Sequence, residues 1–258
     1  MEPAKITLVA GAIGAGKTTW IRQQLSQVAS SAVYLSLGTG SVPVDSTYLV
    51  AEVPGLIGLN DQQLGEFLAQ TNEEPNIYIE LGFYLDLASL MLPFNISDCH
   101  KVAVLPSGID PAEWQDWADT IAIGIENQIT LSQSEIWRSV LTGQVLDFPS
   151  LNTFWYELTN GAYGKVGRIK GIFDIADGRS FYFDFVAGNP QTKHTELNLD
   201  LWLDGRPNRF SGIEIVGEQL DREAIAQTLK DCCLDEQTIA YYQQQIKTSL
   251  AQQEEEAA

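Results

Sequence analysis

Gly11-Ala12-Ile13-Gly14-Ala15-Gly16-Lys17-Thr18-Thr19 is the stretch that decides the fold. It satisfies the pattern G-x-x-x-x-G-K-[ST] at every specified position. Ile6-Thr7-Leu8-Val9-Ala10 just before it reads as a short buried strand. Residues 18–28 read as a helix with Trp20, Ile21 and Leu25 on one face. Strand, glycine loop and helix, in that order, form the setting that phosphate binding needs. Gly11, Gly14 and Gly16, with Ala15 in the same loop, let backbone N–H groups turn inward, and the helix N-terminus adds positive potential. Lys17 is placed to reach β- and γ-phosphates, Thr18 to ligate Mg²⁺ through its hydroxyl, and Thr19 to contact the α-phosphate. A glycine-rich turn that binds nothing is the weaker reading, because motif and context agree.

The rest of the composition narrows the class. With 258 residues, one large or two modest domains are expected, and 45% hydrophobic residues suffice for a packed core. No stretch approaches the roughly 20 apolar residues of a membrane span. The first strand follows the N-terminus directly, so no signal peptide is expected. The three cysteines, Cys99 and the adjacent pair Cys232-Cys233, do not make a disulfide framework, which points to a reducing cytoplasm. A formal charge of −19 repels DNA, RNA and anionic lipid. It could attract basic protein partners or metal ions, with plain solubility as the favoured reading.

Up to about residue 150 the pattern is α/β. Residues 33–37, 77–79, 101–105 and 120–123 are apolar strand candidates, the third strand running into Glu80. Residues 61–70, with Asn60 as N-cap, a segment opening at Pro111, and residues 134–141 are helix candidates. Alternation of this kind implies a mostly parallel sheet with covered faces. Residues 151–164 read as a connection, with Trp155-Tyr156 stapling two domains together. From there to about residue 235 the grammar changes. Residues 166–175, 180–186, 195–203 and 212–216 read as strands, separated by the turn signals Asp177-Gly178, Gly188-Asn189-Pro190 and Asp204-Gly205-Arg206-Pro207. An amphipathic helix over 221–233 follows, giving a small α+β domain. Residues 236–258 form a helical, acidic tail ending in Glu254-Glu255-Glu256.

Asn208-Arg209-Phe210-Ser211-Gly212-Ile213-Glu214-Ile215-Val216-Gly217, then Gln219-Leu220-Asp221 and a helix closing on Cys232-Cys233-Leu234, resemble the last strand and helix of the C-terminal domain of the CobW family. Gly167-Arg168-Ile169-Lys170-Gly171 resembles the opening strand of that domain, and the glycine loop fits the family's P-loop GTPase half. The resemblance covers roughly residues 5–233. It implies GTP, with ATP as the alternative, Mg²⁺, and a link to metal delivery in many members.

The departures limit what carries over. The family's C-x-C-C motif corresponds here to Gly55-Leu56-Ile57-Gly58-Leu59, which offers no side-chain ligand. Its guanine-reading N-K-x-D corresponds to Gly124-Ile125-Glu126-Asn127, so the Asp is missing, with Glu126 or Asn127 as weak substitutes. The catalytic region keeps Glu80, in Glu80-Leu81-Gly82, to hold Mg²⁺ or polarise the attacking water, against the plainer reading of a strand-end carboxylate. Asp45 falls where the family has a switch-region Asp, against that of a loop residue. Cys99-His100 with Asp98 would not converge on one ion, since neighbours on a strand point to opposite faces. Phe181-Tyr182-Phe183 and Phe185 read as strand core. Three functions compete: a slow NTPase switch acting on a protein partner, a metallochaperone GTPase, and a catalytically silent scaffold. Intact Lys17-Thr18 and the lost thiolates favour the first. The resulting site has Lys17 and Glu80 as catalytic residues, with Thr18, Glu80 and Asp45 as Mg²⁺ ligands.

Overall fold

The computed structural model describes residues 5–27, 31–71, 75–129, 131, 133–189 and 193–257. Val28 and Pro190, which the sequence assigns to a helix end and a turn, lie outside them. The chain divides into two units, Met1–Gln128 and Ile129–Ala258.

The first unit runs β1 (Lys5–Gly11), α1 (Lys17–Leu25), β2 (Ala32–Leu37), α2 (Val44–Glu52), β3 (Ile57–Leu59), α3 (Gln63–Gln70), β4 (Asn76–Leu81), β5 (His100–Leu105) and β6 (Thr120–Ile123). The strands form one parallel sheet in the order β3-β2-β4-β1-β5-β6. Strands covered on both faces need continuous apolar runs rather than alternation. Leu8, Val9, Val33, Leu35, Ile77, Ile79, Val102 and Val104 supply them, all buried. α3 opens on a reciprocal cap. Asn60 Oδ1 accepts from the Gln62 and Gln63 amides, and Gln63 Oε1 accepts from the Asn60 amide. The helix expected to open at Pro111 is a single 3₁₀ turn, Pro111–Trp114, held by Asp110 accepting from the Ala112 amide. Because β1 lies between β4 and β5, the loop leaving its C-terminal end emerges at the strand edge where open α/β sheets bind ligands.

The second unit runs β7 (Glu135–Val140), β8 (Val145–Leu146), α4 (Phe148–Thr159), β9 (Lys165–Ile175), β10 (Ser180–Val186), β11 (Lys193–Glu196), β12 (Gly212–Glu218), α5 (Arg222–Asp231) and α6 (Glu236–Ala257). Its sheet is antiparallel in the order β11-β10-β9-β12-β7, with β8 added in parallel to β9. Residues 134–141 are thus a strand, not the expected helix. Pairing with β12 puts Trp137 opposite Ile215 against the core, and Arg138 opposite Glu214 on the other face, where the two side chains bond at 2.6 Å. The stretch read as a connection is α4. Asp147 caps it by accepting from the Ser150 amide, and Leu151, Phe154, Trp155 and Leu158 are buried. Trp155 is 3% exposed and packs edge-on against Phe173 and Phe183 inside its own unit. The aromatic run of β10 is core as expected, with Phe181 and Phe183 buried against α4 and β9. The strand expected over 195–203 is β11, which stops at Glu196, with Leu197 buried just after it. Arg209 fastens the return: its guanidinium donates to Asp174 at 2.7 Å, to the Asp200 carbonyl at 2.8 Å and to the Gly178 carbonyl at 2.9 Å.

Candidate phosphate and cation site

Two glycines set the loop between β1 and α1. Gly11 has φ of +148°, and a side chain there would put its Cβ 2.1 Å from the Val104 carbonyl oxygen. Gly16, at φ of +91°, is the left-handed N-cap of α1 and would meet Ile125 at 2.9 Å. No side chain caps α1, so its positive end stays turned to the loop. Gly14 also has positive φ, and Ala15 is fully buried. Lys17 is only 7% exposed, and its ammonium donates to the Gly11 and Ala12 carbonyls, both at 3.1 Å. Thr19 is exposed on the first turn of the helix.

Behind Lys17 the chain gathers three oxygen-bearing side chains from three elements. Thr18, on α1, donates its hydroxyl to Glu80 Oε2 at 2.9 Å and lies 3.2 Å from Asp45 Oδ1. Glu80 comes from β4 and Asp45 from the first turn of α2, and both are buried. A hydroxyl carries one proton, so Thr18 satisfies only one carboxylate at a time. Two buried carboxyl groups converging on one hydroxyl give an all-oxygen donor set. The sequence placed Thr18, Glu80 and Asp45 as cation ligands, and the fold brings these three together.

One member of this cluster escapes the sequence reading. Tyr34, on β2, is fully buried and donates to Glu80 Oε2 at 2.9 Å. Burial, and then the charges of Glu80 and Asp45, hold its hydroxyl well above the usual tyrosine pKa, so it is a neutral donor. The available signal was a tyrosine inside the buried run Ala32-Val33-Tyr34-Leu35, since a buried phenol needs a hydrogen-bond partner. α1 and α2 are also joined directly by the Arg22 guanidinium, which donates to the Tyr48 hydroxyl.

The segment after β6 packs onto the glycine loop. The Ile125 amide donates to the Ala15 carbonyl at 2.8 Å, and Asn127 Nδ2 donates to the Ile13 carbonyl at 3.3 Å. Glu126 accepts from Ser107 Oγ at 2.6 Å. Both weak substitutes for the missing Asp thus have partners inside the first unit.

Leu56 is buried and Ile57–Leu59 form the edge strand β3. Cys99, Cys232 and Cys233 are free thiols, and burial raises all three pKa values, that of Cys232 to about 11. Among the described residues no three His, Cys, Asp or Glu side chains gather as a metal-holding group, and no helix is long and apolar enough to cross a membrane.

Residues 139–233 match the family described as the cobalamin synthesis protein cobW C-terminal domain. Among solved structures, a Zn(II)-bound YjiA GTPase from E. coli and a Zn(II)-bound triple mutant of YjiA GTPase are similar to this chain. Both have 15% identity, with TM-scores of 0.32 and 0.33, and cover 90% of this chain and 99% of their own. No curated protein matches the chain. Residues 139–233, within the second unit, are thus similar to the cobW C-terminal domain, and the unit that opens on the glycine loop precedes them in the chain.

Proposed function

We propose that the first unit binds a nucleoside triphosphate with Mg²⁺, and that the chain is a slow NTPase switch acting on a protein partner. The observation that carries this reading is the convergence of Thr18, Asp45 and Glu80 directly behind the P-loop lysine. Mg²⁺ binds through one or two carboxylates plus phosphate oxygens and water, so this donor set fits it. Thr18 and Glu80, with Asp45, would hold the ion, which when bound offsets charge on the phosphate oxygens. Lys17 would exchange its two carbonyl partners for β- and γ-phosphate oxygens. Gly11, Gly14, Ala15 and Gly16 would present backbone amides to the phosphates, with Thr19 beside the α-phosphate. Glu80, on a central strand, is also the residue to orient an attacking water. GTP is the expected nucleotide from the family, with ATP tolerated because no Asp stands ready to reject adenine. The charge of −19 and the CobW C-terminal domain support a protein partner rather than nucleic acid.

The test is a titration with fluorescent GTP and ATP analogues, with and without Mg²⁺. Binding that strengthens with Mg²⁺ supports the reading. Absence of nucleotide binding at millimolar concentration refutes it.

A further inference from the structure

The hydrogen bond between Tyr34 and Glu80 has no local reason to exist. Tyr34 lies on β2 and Glu80 on β4, and the register sets Glu80 beside Ser36 and Tyr34 beside Tyr78. Parallel strands put Tyr34, Ser36 and Glu80 on one face of the sheet, and only a side chain as long as tyrosine spans the diagonal to the carboxylate. The result is a carboxylate oxygen with two donors, Tyr34 and Thr18, both at 2.9 Å. These donors differ in kind. Thr18 sits at the start of a helix and shares its single proton between Glu80 and Asp45. Tyr34 is 0% exposed and anchored in β2, a strand paired on both sides.

We infer that Tyr34 is a positioning residue for the cation site, its hydroxyl fixing the Glu80 carboxylate so that Glu80 stays aimed when the Thr18 oxygen turns to a metal ion. The inference rests on the nucleotide and Mg²⁺ reading above and adds a residue to it. A fixed carboxylate favours Mg²⁺, which demands near-ideal octahedral geometry, over Ca²⁺, which accepts variable and bidentate carboxylates. Partners that orient a metal ligand typically contribute 10–100-fold to metal affinity.

Tyr34→Phe keeps the ring and removes only the donor. Fluorescent GTP analogue binding is followed while Mg²⁺ or Ca²⁺ is titrated. The variant is expected to raise the half-saturating Mg²⁺ concentration about tenfold or more, and that for Ca²⁺ by less than about threefold. Its nucleotide affinity in the absence of metal is expected to equal that of the wild type. A merely structural role would weaken all three together, and that outcome overturns the inference. So does an unchanged Mg²⁺ requirement. If wild-type binding itself ignores Mg²⁺, the parent reading falls and takes this one with it. Should Tyr34→Phe not fold, 3-fluorotyrosine at position 34 serves instead. Its ¹⁹F resonance should shift when Mg²⁺ is added to the nucleotide-bound protein, and an unmoved resonance counts against the inference.

Discussion

Gly124→Ala tests whether the glycine loop is held by the segment after β6. The Cβ of an alanine at this position would stand 2.0 Å from the Ala15 carbonyl oxygen and 2.9 Å from Val104 Cγ1. Non-bonded carbon and oxygen need about 3 Å or more, so the carbonyl would have to retreat by about 1 Å. Gly124 has no positive φ, so alanine meets no backbone penalty there and the cost is steric. The retreat would stretch two bonds, from the Ile125 amide to Ala15 at 2.8 Å and from the Gly124 amide to Leu105 at 2.7 Å. Overpacking costs about 1–3 kcal/mol and each of the two weakened bonds up to about 1 kcal/mol, giving a loss of about 1–5 kcal/mol. For a unit of this size the melting temperature should fall by roughly 3–25 °C in scanning calorimetry. Because Ala15 is part of the phosphate loop, nucleoside triphosphate affinity should fall as well, by about tenfold or more. A variant with wild-type melting and wild-type affinity would refute the packing of residues 124–127 on the loop.

Other outcomes follow from the same geometry. Lys17→Ala should weaken nucleoside triphosphate binding at least about tenfold, read by isothermal titration, because a charge-assisted phosphate contact is lost. Competition binding should show a GTP-over-ATP preference below about a hundredfold, since discrimination requires a group that bonds the favoured base. Burial pushes the Asp184 carboxyl up, but the Arg168 and Lys170 charges beside it leave it below its usual value. Its contribution is therefore full above the unfolded carboxylate pKa of about 4 and is lost as pH falls through the lowered folded value, so Asp184→Asn should flatten the acid limb of the pH–stability curve of the second unit. Equilibrium dialysis against a competing chelator should find Zn²⁺ affinity no better than about micromolar, because Leu56, Gly58 and Leu59, which the resemblance sets at the family's thiolate positions, offer no side-chain ligand and burial raises the pKa of all three thiols. A nanomolar site abolished by Cys→Ser changes would restore the metallochaperone reading.

What the sequence made legible divides by range of interaction. The glycine loop and its flanking strand and helix are written in consecutive residues, and the strands of a parallel sheet announce themselves as unbroken apolar runs. Residues 134–141 show the limit. Glu135-Ile136-Trp137-Arg138-Ser139-Val140 suits either a short helix or a strand, and what settles it is β12, some 75 residues away, which supplies Ile215 for Trp137 and Glu214 for Arg138. α4 failed to register for a related reason. Its cap Asp147 and Pro149 are standard opening signals, but the partners that stabilise it, Phe173 and Phe183, lie on later strands.

The cation cluster combines both cases. Thr18 belongs to the motif, while Asp45 and Glu80 stand 27 and 62 residues further on, and Tyr34 is 46 residues from the carboxylate it holds. Asp45 and Glu80 could be named because the resemblance to the CobW family implies a switch-region Asp and a strand-end Glu at those places, Glu80 closing an apolar strand. Tyr34 could not, because its neighbours in sequence are all core residues and its hydroxyl explains itself only through the register of β2 on β4. A chain that spends a buried tyrosine hydroxyl on a carboxylate fixes the direction of that carboxylate more firmly than its position requires. The Tyr34 contact, rather than the glycine loop alone, is therefore where the proposed cation site can be told from a turn that merely retains the glycines: Tyr34→Phe should change the Mg²⁺ requirement in the first case and leave it unchanged in the second.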